Sequence, residues 1–150
     1  MLKFRESCNP INRNSNTENV IQNVQQVTTK VERCLMEFLR RGADGIHTLD
    51  VNVQDLSQAN QFDSVGRFWT SCLNSDVSNV RTKHGLNISS RIEPFVSKNG
   101  NKAHFKRYWL RDRDEVRKAI RAVNYYRKKR GAKTLTPQEC ESFYSSYPAE

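Results

Sequence analysis

The chain has 150 residues, 25 lysines and arginines against 16 aspartates and glutamates, a net charge of +9 and a pI near 9.7. That length holds one core with appendages rather than two full domains. No apolar run approaches the roughly 20 residues of a membrane span, so no membrane partner is expected, and a polyanion is the natural partner for so basic a chain.

Met1-Leu2-Lys3-Phe4-Arg5 leads into a polar, Asn-rich stretch and not into the apolar core of a signal peptide, which points to a cytoplasmic protein. Residues 1–27 hold too few large apolar groups to offset the cost of ordering and read as a flexible arm. A helix is expected from Thr28 or Thr29, either one a good N-cap, to Arg41, with Gly42 as its stop. Val31, Leu35, Phe38 and Leu39 give it a buried face, with Cys34 and Met36 at the flanks. Residues 46–62 support two readings: a helix capped by Thr48, or a short strand over Ile46, Val51 and Val53, followed in both by a polar loop to Gln61.

A second helix is predicted from Asp63 or Ser64, with Val65, Phe68, Trp69, Cys72 and Leu73 at i, i+3, i+4, i+7 and i+8. Asn74-Ser75 then reads as a tight turn or a bend, and a third helix buries Val77 and Val80 before Gly85 releases the chain. Leu86, Ile88, Ser90 and Ile92 alternate with polar neighbours as a strand covered on one face, and Pro94 ends its pairing or confines it to an edge. Lys98-Asn99-Gly100-Asn101 forms the hairpin tip. The return strand puts Tyr108 and Leu110 on one face and Phe105, Arg107 and Trp109 on the other. Asp112 caps a long basic helix with Val116, Ala119, Ile120, Val123 and Tyr126 as its buried stripe, and Thr136-Pro137-Gln138-Glu139 opens a short last helix. Phe143, Tyr144 and Tyr147 are expected to pack back on the body. The fold class is therefore mainly α with a small β-hairpin. It divides into the arm, a domain over 28–110, and the basic and short helices of 111–150.

From Val31 to Leu110 the chain resembles the winged helix-turn-helix domains of phage and prophage proteins. The likeness rests on the first helix ending in Gly42, on Val77-Ser78-Asn79-Val80-Arg81 leading through Lys83-His84-Gly85 to Leu86-Asn87-Ile88, and on a wing closing at Arg107-Tyr108-Trp109-Leu110. The resemblance implies double-stranded DNA as the partner and a role as a transcriptional regulator or accessory DNA binder. Ser75, Ser78, Asn79, Arg81, Thr82 and Lys83 would lie on the recognition helix, and Lys98, Asn99 and Lys102 on the wing. Two departures are a stretch over 51–62 longer than such domains need and a negative charge at Asp76, where a phosphate would approach.

Residues 106–133 carry twelve basic residues against three acidic ones, a surplus equal to that of the whole chain. Within them Arg127, Lys128, Lys129 and Arg130 form the densest cluster, read as sequence-independent affinity for phosphate. The same charge suits RNA or an acidic protein, as for a phage-encoded inhibitor, and the oligomeric state is open, a homodimer included. His47, His84 and His104 are scattered. Cys8, Cys34, Cys72 and Cys140 form no C-x-x-C pair, and there is no phosphate-binding loop or nucleophile motif. No metal, cofactor or catalytic residue is therefore assigned and no enzymatic activity is expected; the cysteines read as reduced thiols.

Overall fold

The computed structural model describes residues 28–149, so the expected arm over 1–27 lies outside the described residues. Helix α1 (Lys30–Arg41) starts where Thr29 accepts the Glu32 N–H and stops at Gly42, whose φ of +59° ends the helix. It runs through the middle of the molecule, packed on α4 (Leu73–His84) and α5 (Arg113–Lys129), so that its whole circumference from Cys34 to Leu39 is buried. The core joins Leu35, Phe38 and Leu39 to Val77 and Val80 of α4, to Tyr108 and Leu110, and to Val116, Ala119 and Val123 of α5. Asp112 caps α5 on the Glu115 N–H. The last helix, α6 (Pro137–Tyr144), opens with a full capping box between Thr136 and Glu139, and Tyr147 beyond it is buried in the core.

Neither reading of 46–62 holds as stated: the strand ends at His47 and does not reach Val51 or Val53, and the helical turn that follows is capped by His47, whose Nδ1 accepts the Leu49 N–H, and not by Thr48, which lies inside it. Ile46–His47 is a short strand, β1, and Thr48–Val51 is one helical turn, α2. The stretch expected as a loop to Gln61 instead contains α3 (Leu56–Ser64), capped by Asp55 on the Gln58 N–H. The helix predicted from Asp63 to Leu73 does not form. Gly66 at φ +68° turns the chain after α3, Arg67–Trp69 forms neither helix nor strand, and Thr70 makes an isolated bridge to Asn52. There Thr70 exchanges backbone hydrogen bonds with Val51 (2.9 Å) and Val53 (3.0 Å). Phe68 and Thr70 point inward and Val65 is 70% exposed, so burial follows a period of two rather than that of a helix. Asn74 and Ser75, expected as a turn, lie within the first turn of α4.

The wing expected as two strands is a three-stranded antiparallel sheet in the order β1-β3-β2, with β2 at Ile88–Val96 and β3 at Lys102–Leu110. Arg111 N–H to Asn87 O at its base and Ser97 N–H to Asn101 O at its tip show that the odd-numbered residues of β2 hold the ladder bonds. Pro94 is even-numbered and on the edge strand, so its missing N–H falls on the open side and pairing continues past it. Cover on the inner face ends at Ile88. Ser90 is exposed and Ile92 is 60% exposed, against the expectation of a strand covered to Ile92, because nine-residue strands of about 30 Å overhang the helices.

Candidate nucleic-acid interface

Helix α4 begins at a built corner. The buried Thr70 hydroxyl accepts the Cys72 N–H (3.0 Å) and donates to Asp76, and Lys30 lies 3.3 Å from the same carboxylate. The negative charge that opposes a phosphate in the sequence is thus turned toward α1 and paired. Ser75, Ser78, Asn79, Thr82 and Lys83 are exposed and form a polar face along α4, backed by buried Leu73, Val77 and Val80. Cys72 touches the Ser75 hydroxyl at 3.2 Å, and this hydrogen bond draws its thiol pKa down.

Arg81 does not share that exposed face. Expected in solvent, it is half-buried, donates to the Ile88 carbonyl and lies 5.9 Å from the centre of the Tyr108 ring. The Tyr108 hydroxyl in turn donates to Asn74 (2.9 Å), so this one tyrosine ties β3 to both ends of α4. At the base of the hairpin Asn87 gives its backbone and side-chain N–H groups to the buried Glu115 of α5. Burial would raise the Glu115 pKa, but these bonds and the one from Lys118 bring it below the usual range. The hairpin is therefore braced against two helices. At the end of α4, His84 meets the Tyr126 hydroxyl at 2.8 Å, and burial followed by the charge of Lys83 lowers its pKa.

Lys98, Asn99 and Lys102 are exposed at the tip, as the turn chemistry predicts. Strand alternation from the inward-facing Tyr108 puts Lys106, His104 and Lys102 on the same face as α4. A cleft of about 340 Å³ between Ser71, Cys72 and Asn74 on one side and His104 and Lys106 on the other makes the start of α4 and the hairpin one surface. Sequence reasoning misses Lys106 and His104, although they share the parity of Tyr108, which it places inward correctly.

The terminal basic cluster divides in two. Arg130 makes a two-pronged contact with the buried Glu32 of α1 (2.7 and 3.0 Å), and the Arg127 guanidinium lies 4.0 Å from the same carboxylate. Lys128 and Lys129 remain exposed, Lys129 beside the Tyr125 ring. On the outer face of the sheet, Glu93 accepts Arg107 (2.9 Å) and Arg91 (2.6 Å), which hold its pKa at about 2. Together with Arg40, Arg41, Asp44 and Trp109 these residues line a cleft of about 1020 Å³. Among the described residues Cys34, Cys72 and Cys140 are free thiols, no group of three or more His, Cys, Asp or Glu is placed to hold a metal ion, and no helix is long and apolar enough to cross a membrane. Comparison with protein-family models, with curated proteins and with solved structures finds no match to this chain.

Proposed function

We propose that the protein is a winged-helix DNA-binding protein that engages double-stranded DNA through the exposed face of α4 and the inner face of the β2–β3 hairpin. The observation that carries the reading is the element order α1-β1-α2-α3-α4-β2-β3 with the sheet order β1-β3-β2, the order of a winged helix, in which α4 is the recognition helix and the hairpin the wing. Chemistry at the surface agrees with it. Ser75, Ser78, Asn79 and Thr82 offer hydrogen bonds to phosphates and base edges, and Lys83, Lys98, Lys102 and Lys106 make no ion pair among the described residues. Their charge is free to displace counterions from DNA. A role as a regulator or accessory DNA binder of a phage or mobile element rests on the sequence resemblance alone.

The test is binding to a DNA duplex and to an RNA duplex of the same sequence across a salt series, for the natural chain and for Lys83→Ala/Lys102→Ala/Lys106→Ala. DNA binding should weaken in the variant, and its logarithmic salt slope should fall by about 0.9 for each phosphate the variant no longer neutralises. The thermal midpoint should hold, since all three side chains are exposed. Equal affinity and slope in the two proteins would remove the α4 and wing assignment. Tighter binding to the RNA duplex would replace DNA by RNA as the partner.

A further inference from the structure

We infer that the outer face of the sheet is a second site, which takes single-stranded nucleic acid by stacking a base on Trp109 and holding phosphate with Arg40. It does not depend on the duplex reading, because it uses the opposite face of β3. Phe105, Arg107 and Trp109 alternate with the inward Lys106, Tyr108 and Leu110, and Phe95 stands across from Ala103 on the same outer face. Among the described residues Phe105, Arg107 and Trp109 are half-buried and Phe95 is exposed. The 3-10 turn at Gly42–Asp44 and the end of α1 stand beside Arg107 and Trp109, which wall the cleft of about 1020 Å³, while His47 of β1 lies against Phe105 with ring centres 6.0 Å apart.

The chemistry of that cleft is specific in two ways. Its wall carries the indole of Trp109, and the rings of Phe105 and Phe95 continue along the same face of the sheet. Trp109 is half-buried, Phe105 is half-buried, and Phe95 is 41% exposed with its ring edge-on to Phe105 at 5.7 Å. Trp109 and Phe105 lie four residues apart on β3, about 13 Å, room for separate bases. A base in a duplex presents only its edge, whereas an unpaired base offers its face, so an aromatic sheet face selects single strands. The Arg91 guanidinium already lies over the indole at 5.7 Å, and with a side chain 62% exposed it can close on a base inserted beneath it.

The cleft is also net positive. Arg40, Arg41, Arg91 and Arg107 line it against Asp44 and Glu93. Glu93 is shared by Arg91 and Arg107, and Arg41 is engaged by Glu37 and Asp50, which leaves exposed Arg40 with no carboxylate partner among the described residues. The Glu93 carboxylate is held by Arg91 and Arg107 on one oxygen and faced by His47 at 3.7 Å on the other, so these neighbours shield its charge from phosphate. Acidic polypeptide satisfies the arginines but not the indole face.

The chain has two tryptophans, so Trp69→Phe leaves Trp109 as the only reporter. Titrated with a twelve-residue oligothymidylate, this variant should lose indole emission in step with binding. Trp109→Ala in the natural chain should weaken oligothymidylate binding at least about tenfold, and Trp109→Phe should restore most of it. Arg40→Ala, a change at an exposed side chain that leaves the fold intact, should weaken it and lower the salt slope by about 0.7. Duplex binding should be unchanged in these variants, and oligothymidylate binding unchanged in the triple lysine variant, so either site can fail alone. Unquenched Trp109, or affinity unaltered by Arg40→Ala, overturns the proposal. Equal quenching by polyglutamate also overturns it, since the cleft would then be a dock for any polyanion.

Discussion

Glu37 sits on α1 with both carboxylate oxygens occupied, Arg41 on one side and Arg67 arriving from the turn after α3 on the other. Burial would raise its pKa, yet the two guanidinium groups bring it below the ordinary 4.5. The carboxylate form is therefore favoured by folding, and its contribution is complete above pH 4.5 and fades as pH falls through the lowered folded value. Glu37→Gln should cost about 3 kcal/mol at neutral pH, the lower end for breaking a buried pair because both arginines reach solvent. Urea denaturation of the two proteins at neutral and at acid pH should show the gap closing as pH drops below that range. A gap that stays constant would mean that the acid contributes by its shape and not by its charge. None of this was legible in the sequence. An acidic residue on an amphipathic helix reads as solvated, and α1 is buried all round only because α4, α5 and the turn at Arg67 close on it from different sides.

Elements with a strong stop or cap were readable, and those fixed by distant partners were not. Thr29 and Gly42 bound α1, Gly85 ends α4 at φ +60°, and Asp112 opens α5, each a signal carried by one residue. Between Asp63 and Leu73 the apolar spacing imitates a helix. There the turn at Gly66 and the bridge between Asn52 and Thr70 decide the outcome, and the bridge joins residues 18 apart in sequence. Asp55, the cap of α3, was the overlooked local signal. Phe68 and Trp69 separate the two structures experimentally. In the segment after Gly66, Phe68 is 1% exposed in the core while Trp69 faces outward and donates to Asp63 (2.8 Å). Phe68→Ala should therefore cost about 3–5 kcal/mol, and Trp69→Ala clearly less. Equal losses in chemical denaturation would place both rings in one buried stripe, as the helical pattern required. Tyr108→Phe tests the brace between sheet and helix, since it removes the bond to Asn74 and keeps the ring under Arg81. It should cost about 1 kcal/mol and speed amide exchange at the base of β3.

Across the whole molecule the surplus charge is less available than its position in the sequence implies. Of the twelve basic residues between 106 and 133, several are consumed within the fold: Arg107 by Glu93, Lys118 by Glu115, Arg127 and Arg130 by Glu32. The cluster at the end of α5 thus joins two arginines that hold the helix to α1 with two lysines that face solvent. Paired substitutions distinguish these roles. Arg127→Ala/Arg130→Ala leaves a carboxylate buried without its partners and should destabilise the protein by about 3–5 kcal/mol. Lys128→Ala/Lys129→Ala should leave the thermal midpoint where it is. If the lysines reach duplex phosphate, removing them lowers the salt slope by about 0.9 for each phosphate released and leaves site preference intact, because phosphate contacts carry affinity and base contacts carry choice. A lysine pair that shifts site preference would make the end of α5 part of the reading surface. An arginine pair that changes DNA binding at full stability would mean that Glu32 releases its partners to the nucleic acid.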